Sequence, residues 1–325
     1  KGMWAELLSF YWADFILRGT GGANAGHTGV IGGRKIITHQ LPVGAIHGKP
    51  TYLCRGMVIN PNSILGEIED VHDFGGNTDK LRISLDTNVV MPYHLWRDNA
   101  KNTFTAGGIG STGKGIGPSY TDETARWGIS FRDLLGDKDQ LVAKIRKAQN
   151  SGLYNEEHIG KPFDVNEILS IVLPAAEQLR QYCCDVEQEI VDSLARGEKG
   201  VIEGAQGFFL SYRYGTKPFV TSSDPSILGT LEGIGINPKH LDIVFSGVKF
   251  PYMTRVGKGP FPTELGGLAA AEYCNIGLQH DVQFELEKYG VPYNKVGEEF
   301  KYDHAHPNIL RLLNSSDPFE KGVGL

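Results

Sequence analysis

Cysteine is scarce in this chain. Four occur in 325 residues, Cys54, Cys183, Cys184 and Cys274, and no two stand in C-x-x-C spacing. A disulfide framework is denser and a zinc site needs regular spacing, so all four read as buried or inert thiols of a reducing compartment. Basic charge is not in excess: 32 Lys and Arg against 38 Asp and Glu leave a formal net charge of −6. That argues against a nucleic-acid partner, because no surplus of cations is there to neutralise phosphates. No apolar run reaches the roughly 18 residues of a membrane-spanning helix and no secretory signal is visible, so no membrane partner and a cytoplasmic location are expected. The chain does not lack apolar residues. At 40% hydrophobic and 22% charged it has a globular balance, which excludes intrinsic disorder.

Glycine is abundant, with 42 residues in clusters rather than at a fixed period. This excludes collagen and points to tight turns and to backbone lying close to a ligand, often a phosphate. Strands and helices alternate, the pattern of an α/β fold with a large, mostly parallel central sheet, flanking helices and long functional loops. Periodicity predicts helices over 3–11, 61–72, 92–101, 139–149, 164–196 (interrupted at Pro174) and 281–288. It predicts strands over 14–18, 52–55, 81–85, 201–202 and 241–249. Asn60 and Pro61 supply cap and first turn for the second helix. No repeat or linker stands out, so residues 1–325 read as one domain.

Four loops carry the polar chemistry. Gly21 to Thr28 (GGANAGHT) follows a strand, where open α/β sheets bind ligands; Asn24 donates and accepts, His27 exchanges protons near neutral pH, and Thr28 reaches phosphate. A structural turn with His27 on a carbonyl is the plainer alternative. Gly107 to Pro118 satisfies most of G-x-x-x-x-G-K, but Gly115 stands where a P-loop needs Ser or Thr, and no helix is expected to follow. A different phosphate loop fits better, with Ser111, Thr112 and Lys114 as donors. Arg126 lies just beyond it. The third loop, EGAQG at 203–207, leads to GTKPFVTSS at 215–223; the Gln206 amide suits a base edge. The fourth, TRVGKGPFPTE at 254–264, is most simply a turn. His304 and His306 form an H-x-H without a supporting ligand set and read as no metal site.

Taken in order, GGANAGHT, GSTGKGIGPSYTDETAR, EGAQG…GTKPFVTSS and TRVGKGPFPTE resemble the adenylosuccinate synthetase family, over residues 1 to about 265. The resemblance implies a P-loop-NTPase-like fold. It implies a magnesium-dependent ligase in purine biosynthesis, consuming GTP, that joins L-aspartate to C6 of IMP. His27 matches the catalytic histidine and the Gly26 carbonyl a magnesium ligand. Gly26 to Thr28 line the GTP phosphates, as does the loop whose end matches Lys1 and Gly2. Asn24, Thr112, Gln206, Thr221 and Val256 match contacts to IMP. Arg126 matches an arginine that reaches the neighbouring subunit's IMP, which implies a homodimer.

There are departures. The family opens with a strand and a G-D-E-G-K-G loop, of which only Lys1-Gly2 appears; its aspartate would fall three positions before Lys1. A T-G-R-x-R-R aspartate loop and a T-K-x-D guanine motif do not occur, residues 268–325 match nothing assignable, and Ser111 and Lys114 replace the usual Thr and Arg. Two other readings remain open at this point. One is a phage-type relative that joins aspartate to dGMP, with ATP as a possible donor, giving a 2-aminoadenylosuccinate nucleotide. The other is a catalytically dead nucleotide-binding homologue.

Overall fold

A computed structural model describes residues 2–100 and 111–247. The chain divides into two compact units, Lys1–Arg213 with Thr221–Gly247, and Tyr214–Val220 with Val248–Leu325. Of the second, only Tyr214–Val220 is described. It turns back on itself, the Phe219 N–H donating to the Thr216 carbonyl at 3.0 Å. All that follows concerns the first.

The elements run α1 (Gly2–Tyr11), β1 (Phe15–Arg18), β2 (His27–Ile31), β3 (Arg34–Thr38), β4 (Thr51–Leu53), β5 (Val58–Ile59), α2 (Pro61–Asp73), β6 (Leu81–Ser84), β7 (Asn88–Val89), α3 (Pro92–Asn99), α4 (Ile116–Thr124), α5 (Phe131–Leu134), α6 (Lys138–Asn150), α7 (Glu156–Ile159), α8 (Val165–Leu179), β8 (Cys183–Cys184), α9 (Val186–Ala195), β9 (Gly200–Ile202) and α10 (Ile227–Ile234). Five strands form a wholly parallel sheet in the order β8-β6-β4-β1-β9. β2 and β3 form a separate antiparallel hairpin. Both faces of the sheet are covered, as parallel sheets require. Alternation along the strands divides the core. Phe15, Leu17, Tyr52 and Cys54 pack with Val186 and Ile190 of α9 and Ile234 of α10. Leu53, Leu81 and Ile83 point the other way, into a larger cluster with Ile64, Ile68 and Val71 of α2 and Ile168, Val172 and Leu179 of α8.

The α/β reading with a parallel sheet holds, and so does the cap of α2: the Asn60 side chain accepts from the Ser63 N–H at 3.1 Å, with Pro61 at the first turn. Three expectations fail. The 164–196 stretch is not broken at Pro174. α8 runs through it, because a buried stripe of Ile168, Leu169, Val172, Ala175, Ala176 and Leu179 outweighs one missing backbone donor, and the break falls at 180–185. A helix does open after Lys114, as α4. Residues 241–247 form no strand; Ile243, Val244 and Phe245 are exposed, so their apolar character meets no sheet partner. The predicted helix at 281–288 and the end of the strand at 248–249 lie outside the described residues. Among the described residues no helix is long and apolar enough to cross a membrane.

Cys54 is buried, and Cys183 and Cys184 are partly so; none of these three is in a disulfide. Burial pushes the Cys183 and Cys184 thiols up to about 12 and Cys54 higher still, which makes poor nucleophiles of them. Cys274 lies outside the described residues.

Candidate active site

β1 is the switch point of the sheet, with its next strand β4 on one side and β9 on the other. Ligands in open α/β sheets bind outside the carboxyl ends of strands at such a point. The loops leaving β1 and β9 are GGANAGHT and EGAQG, 176 residues apart in sequence at His27 and Glu203. Parallel pairing sets Leu17 against Ile202, so Arg18 and Glu203 leave the sheet side by side. The Glu203 N–H continues the ladder to the Leu17 carbonyl at 2.9 Å.

There Glu203 Oε1 meets His27 Nδ1, with the two side chains 2% and 5% exposed. Glu203 Oε2 accepts from the Val43 N–H at 2.8 Å. Arg18 is completely buried; one guanidinium nitrogen donates to the His39 carbonyl and another to the Gly22 carbonyl at 3.0 Å. Burial pulls the Arg18 guanidinium down, and Glu203 and then Glu67 offset this with their charges. Glu67 in turn accepts from the N–H groups of His39, Gln40 and Leu41 at 2.9–3.0 Å, which anchors the turn after β3. The His39 ring donates to the Ala25 carbonyl at 2.6 Å. GGANAGHT is therefore held from below by buried charge and from the side by the β2–β3 hairpin.

The third loop closes over it. Gln206 Oε1 lies 3.3 Å from where a Cβ on Gly21 would stand, and Asn24 Nδ2 donates to Thr221 Oγ1 at 3.3 Å. The second loop joins from α4. Tyr120 accepts from the Gly21 N–H at 3.0 Å and donates to the Gly56 carbonyl at 2.7 Å. A Cβ on Gly117 would sit 3.2 Å from Ser222 Oγ. Residues 111–115 hang on the end of α3: Asp98 accepts from Ser111 Oγ at 2.6 Å and from the Gly115 N–H at 2.8 Å. Ser111 thus gives its hydroxyl proton to Asp98, while Thr112 and Lys114 are exposed.

The structure brings together Asn24, His27, Gln206 and Thr221. Gly26 and Thr28 flank His27 and are exposed, and Thr112, also exposed, precedes α4 by four residues. Arg126 is not gathered in. It sits beyond the far end of α4, a helix of 9 residues and hence about 13 Å, and it is exposed. Gly2 opens α1. Lys1, Val256, the fourth loop and the His304/His306 pair lie outside the described residues. Glu203 and Arg18 were missed by sequence reasoning, although a charge at the carboxyl end of each buried strand was the available signal. Among the described residues Arg126 and Gln206 are the two non-glycine residues with positive φ, 70° and 55°. Such conformations concentrate at functional positions.

Among the described residues no three His, Cys, Asp or Glu side chains form a metal cage. The Gly26 carbonyl is a hard oxygen donor in an open setting, where an added Cβ would meet nothing closer than Ile37 at 4.0 Å. That fits magnesium, which takes few protein ligands and keeps phosphates and waters.

The chain is similar to known proteins of one family. Adenylosuccinate synthetase of Bacillus thuringiensis (strain Al Hakam) is 39% identical over 284 residues, 86% of this chain and 66% of that protein. The Acetivibrio thermocellus adenylosuccinate synthetase is 38% identical over 81% of this chain and 62% of its own length. The chain thus spans about two thirds of the curated relatives it matches. The fully ligated adenylosuccinate synthetase from Plasmodium falciparum superposes with a TM-score of 0.73 at 33% identity, covering 85% of this chain and 65% of that one. A cyanophage S-2L succinoaminodeoxyadenylate synthetase bound to dGMP and dATP matches at 21% identity and a TM-score of 0.48. The family model for adenylosuccinate synthetase matches residues 1–300, and the chain belongs to that family.

Proposed function

We propose that this chain is the nucleotide-handling part of a ligase that couples L-aspartate to C6 of IMP at the expense of GTP, giving adenylosuccinate, GDP and phosphate. The observation that carries the reading is the convergence at the carboxyl ends of β1 and β9. An ordered histidine–carboxylate pair lies beside the amide and hydroxyl groups of Asn24, Gln206 and Thr221. An oxo group on a purine is a poor leaving group. Transfer of the γ-phosphoryl of GTP to the 6-oxygen makes it a good one, and the aspartate amine then forms the C–N bond at C6 as phosphate departs.

His27 assists the phosphoryl transfer. The exposed backbone of Gly26 to Thr28 lies along the GTP phosphates, with Lys1 and Gly2 completing the cradle. Magnesium, held by the Gly26 carbonyl, supplies neutralisation of phosphate charge. Asn24, Gln206, Thr221 and Val256 hold IMP. Thr112 and the uncapped start of α4, where Gly115 makes no side-chain cap bond, receive its phosphate. Arg126 serves the neighbouring subunit's site in a homodimer. Incubation with aspartate, GTP or ATP, and IMP or dGMP, followed chromatographically, tests the reading. IMP turnover with GTP is expected. Turnover of dGMP alone would assign the phage-type reaction, and nucleotide binding without either product would assign a dead homologue.

A further inference from the structure

We propose that Glu203 is a positioning residue that fixes the tautomer of His27, keeping the ring proton on Nδ1 so that exchange with bound nucleotide runs through Nε2. This rests on the role given to His27 above and goes beyond it, since no motif assigned Glu203 a part. The argument is one of donors and acceptors. Glu203 Oε2 takes the Val43 N–H at 2.8 Å, and a main-chain amide can only donate. Oε1 faces His27 Nδ1. An ionised carboxylate only accepts, so Nδ1 must be the donor. Proton transfer to the carboxylate is opposed by Arg18, which leaves the adjacent strand in register with Glu203 and stays charged although fully buried. With the side chains only 2% and 5% exposed, little water is at hand to substitute for either contact.

The same chain holds a contrasting histidine. His94 Nδ1 accepts from the Met91 N–H at 3.0 Å, so its proton sits on Nε2, toward Asp122 at 3.1 Å. Two buried histidines are thus set in opposite tautomers by what lies beside Nδ1.

Glu203→Gln makes the inference testable with little change of shape. An amide has one accepting and one donating end. The Val43 N–H claims the oxygen, the amide N–H then points at Nδ1, and Nδ1 has to accept; the neutral ring must carry its proton on Nε2. Histidine-selective 15N labelling of the intact protein, with His27 assigned by loss of its signals in His27→Asn, reads this directly above the ring's titration. We expect an Nδ1–H ring in wild type, an Nε2–H ring in Glu203→Gln, and the wild-type pattern in Glu203→Asp. In turnover, Glu203→Gln should lower kcat by about tenfold or more with KM for the nucleotides within about twofold, the signature of a group acting through an acid–base residue. An Nε2–H His27 in wild type, or ring nitrogens unchanged in Glu203→Gln, overturns the proposal. If Glu203→Gln does not fold, judged by shifted His47 and His94 signals, the wild-type and Glu203→Asp tautomers still decide. If the protein ligates neither purine, the proposed function fails while the tautomer measurement stands on its own.

Discussion

Arg126 stands where a helix prefers glycine. α4 ends in a Schellman arrangement: the Arg126 N–H donates to the Glu123 carbonyl at 2.9 Å and the Trp127 N–H to the Asp122 carbonyl at 3.1 Å. The residue between them must be left-handed, and Arg126 is, at φ 70°. A side chain there costs on the order of 1 kcal/mol. Among the described residues the exposed guanidinium makes no hydrogen bond or ion pair that would offset it, which is the pattern of a residue kept for a ligand or partner. Arg126→Gly should therefore raise unfolding stability by about 1 kcal/mol while ligase turnover falls. Urea denaturation beside a turnover assay checks both. Lower stability would show instead that the side chain braces the helix end.

At the scale of elements, α4 is the piece that ties the loops to the scaffold, and a buried polar cluster fastens it. Asp122 accepts from His94 at 3.1 Å and from the Tyr154 hydroxyl at 2.7 Å, and all three side chains are buried. Burial pulls His94 down, which keeps the ring neutral as its Met91 contact requires. Asp122→Ala would strand two buried donors, each worth about 1–3 kcal/mol, so a loss of roughly 3 kcal/mol in urea unfolding is expected. A change below about 1 kcal/mol would mean that water enters the gap.

One residue further along α4, burial and then the charge of Glu232 push Glu123 up to about 7. The folded chain therefore holds this proton more tightly than the unfolded one, and stability falls as pH rises from the ordinary glutamate range through about 7. Glu123→Gln removes that penalty. Its melting temperature should exceed the wild type's at pH 8, with the gap closing near pH 5. A gap independent of pH would exclude Glu123 as the cause.

At the scale of the whole molecule, what the sequence made legible was local. The glycine loops announced themselves because their residues are contiguous, and the cap at Asn60-Pro61 and the buried strands followed from pattern. Pairings across 176 and 197 residues, His27 with Glu203 and Asn24 with Thr221, depend on β9 lying beside β1, and no local signal encodes strand order. α4 was missed because its opening, Ile116-Gly117-Pro118-Ser119, has little helix propensity, and Gly22, Val58 and Val90 supply the packing against Ile116 that decides it. Burial also decided at Pro174, against the residue's local preference.

The geometry leaves Arg126 a helix length away from its own subunit's cluster, which is where a residue lent to a neighbour in a homodimer would stand. Complementation reads it. Arg126→Leu keeps its own His27, and His27→Asn keeps its own Arg126. Each homodimer should be inactive. In a hybrid, the site on the Arg126→Leu chain has an intact His27 and borrows an intact arginine, whereas the other site lacks both. Random exchange at equal amounts makes half the dimers hybrids with one good site of two, so roughly a quarter of wild-type activity should return, as the reciprocity of a two-fold interface demands. Two different affinity tags, with hybrids recovered by sequential purification, establish that exchange has occurred. Isolated hybrids should then show about half the wild-type activity per dimer. Silent hybrids would confine Arg126 to its own subunit and remove the shared site.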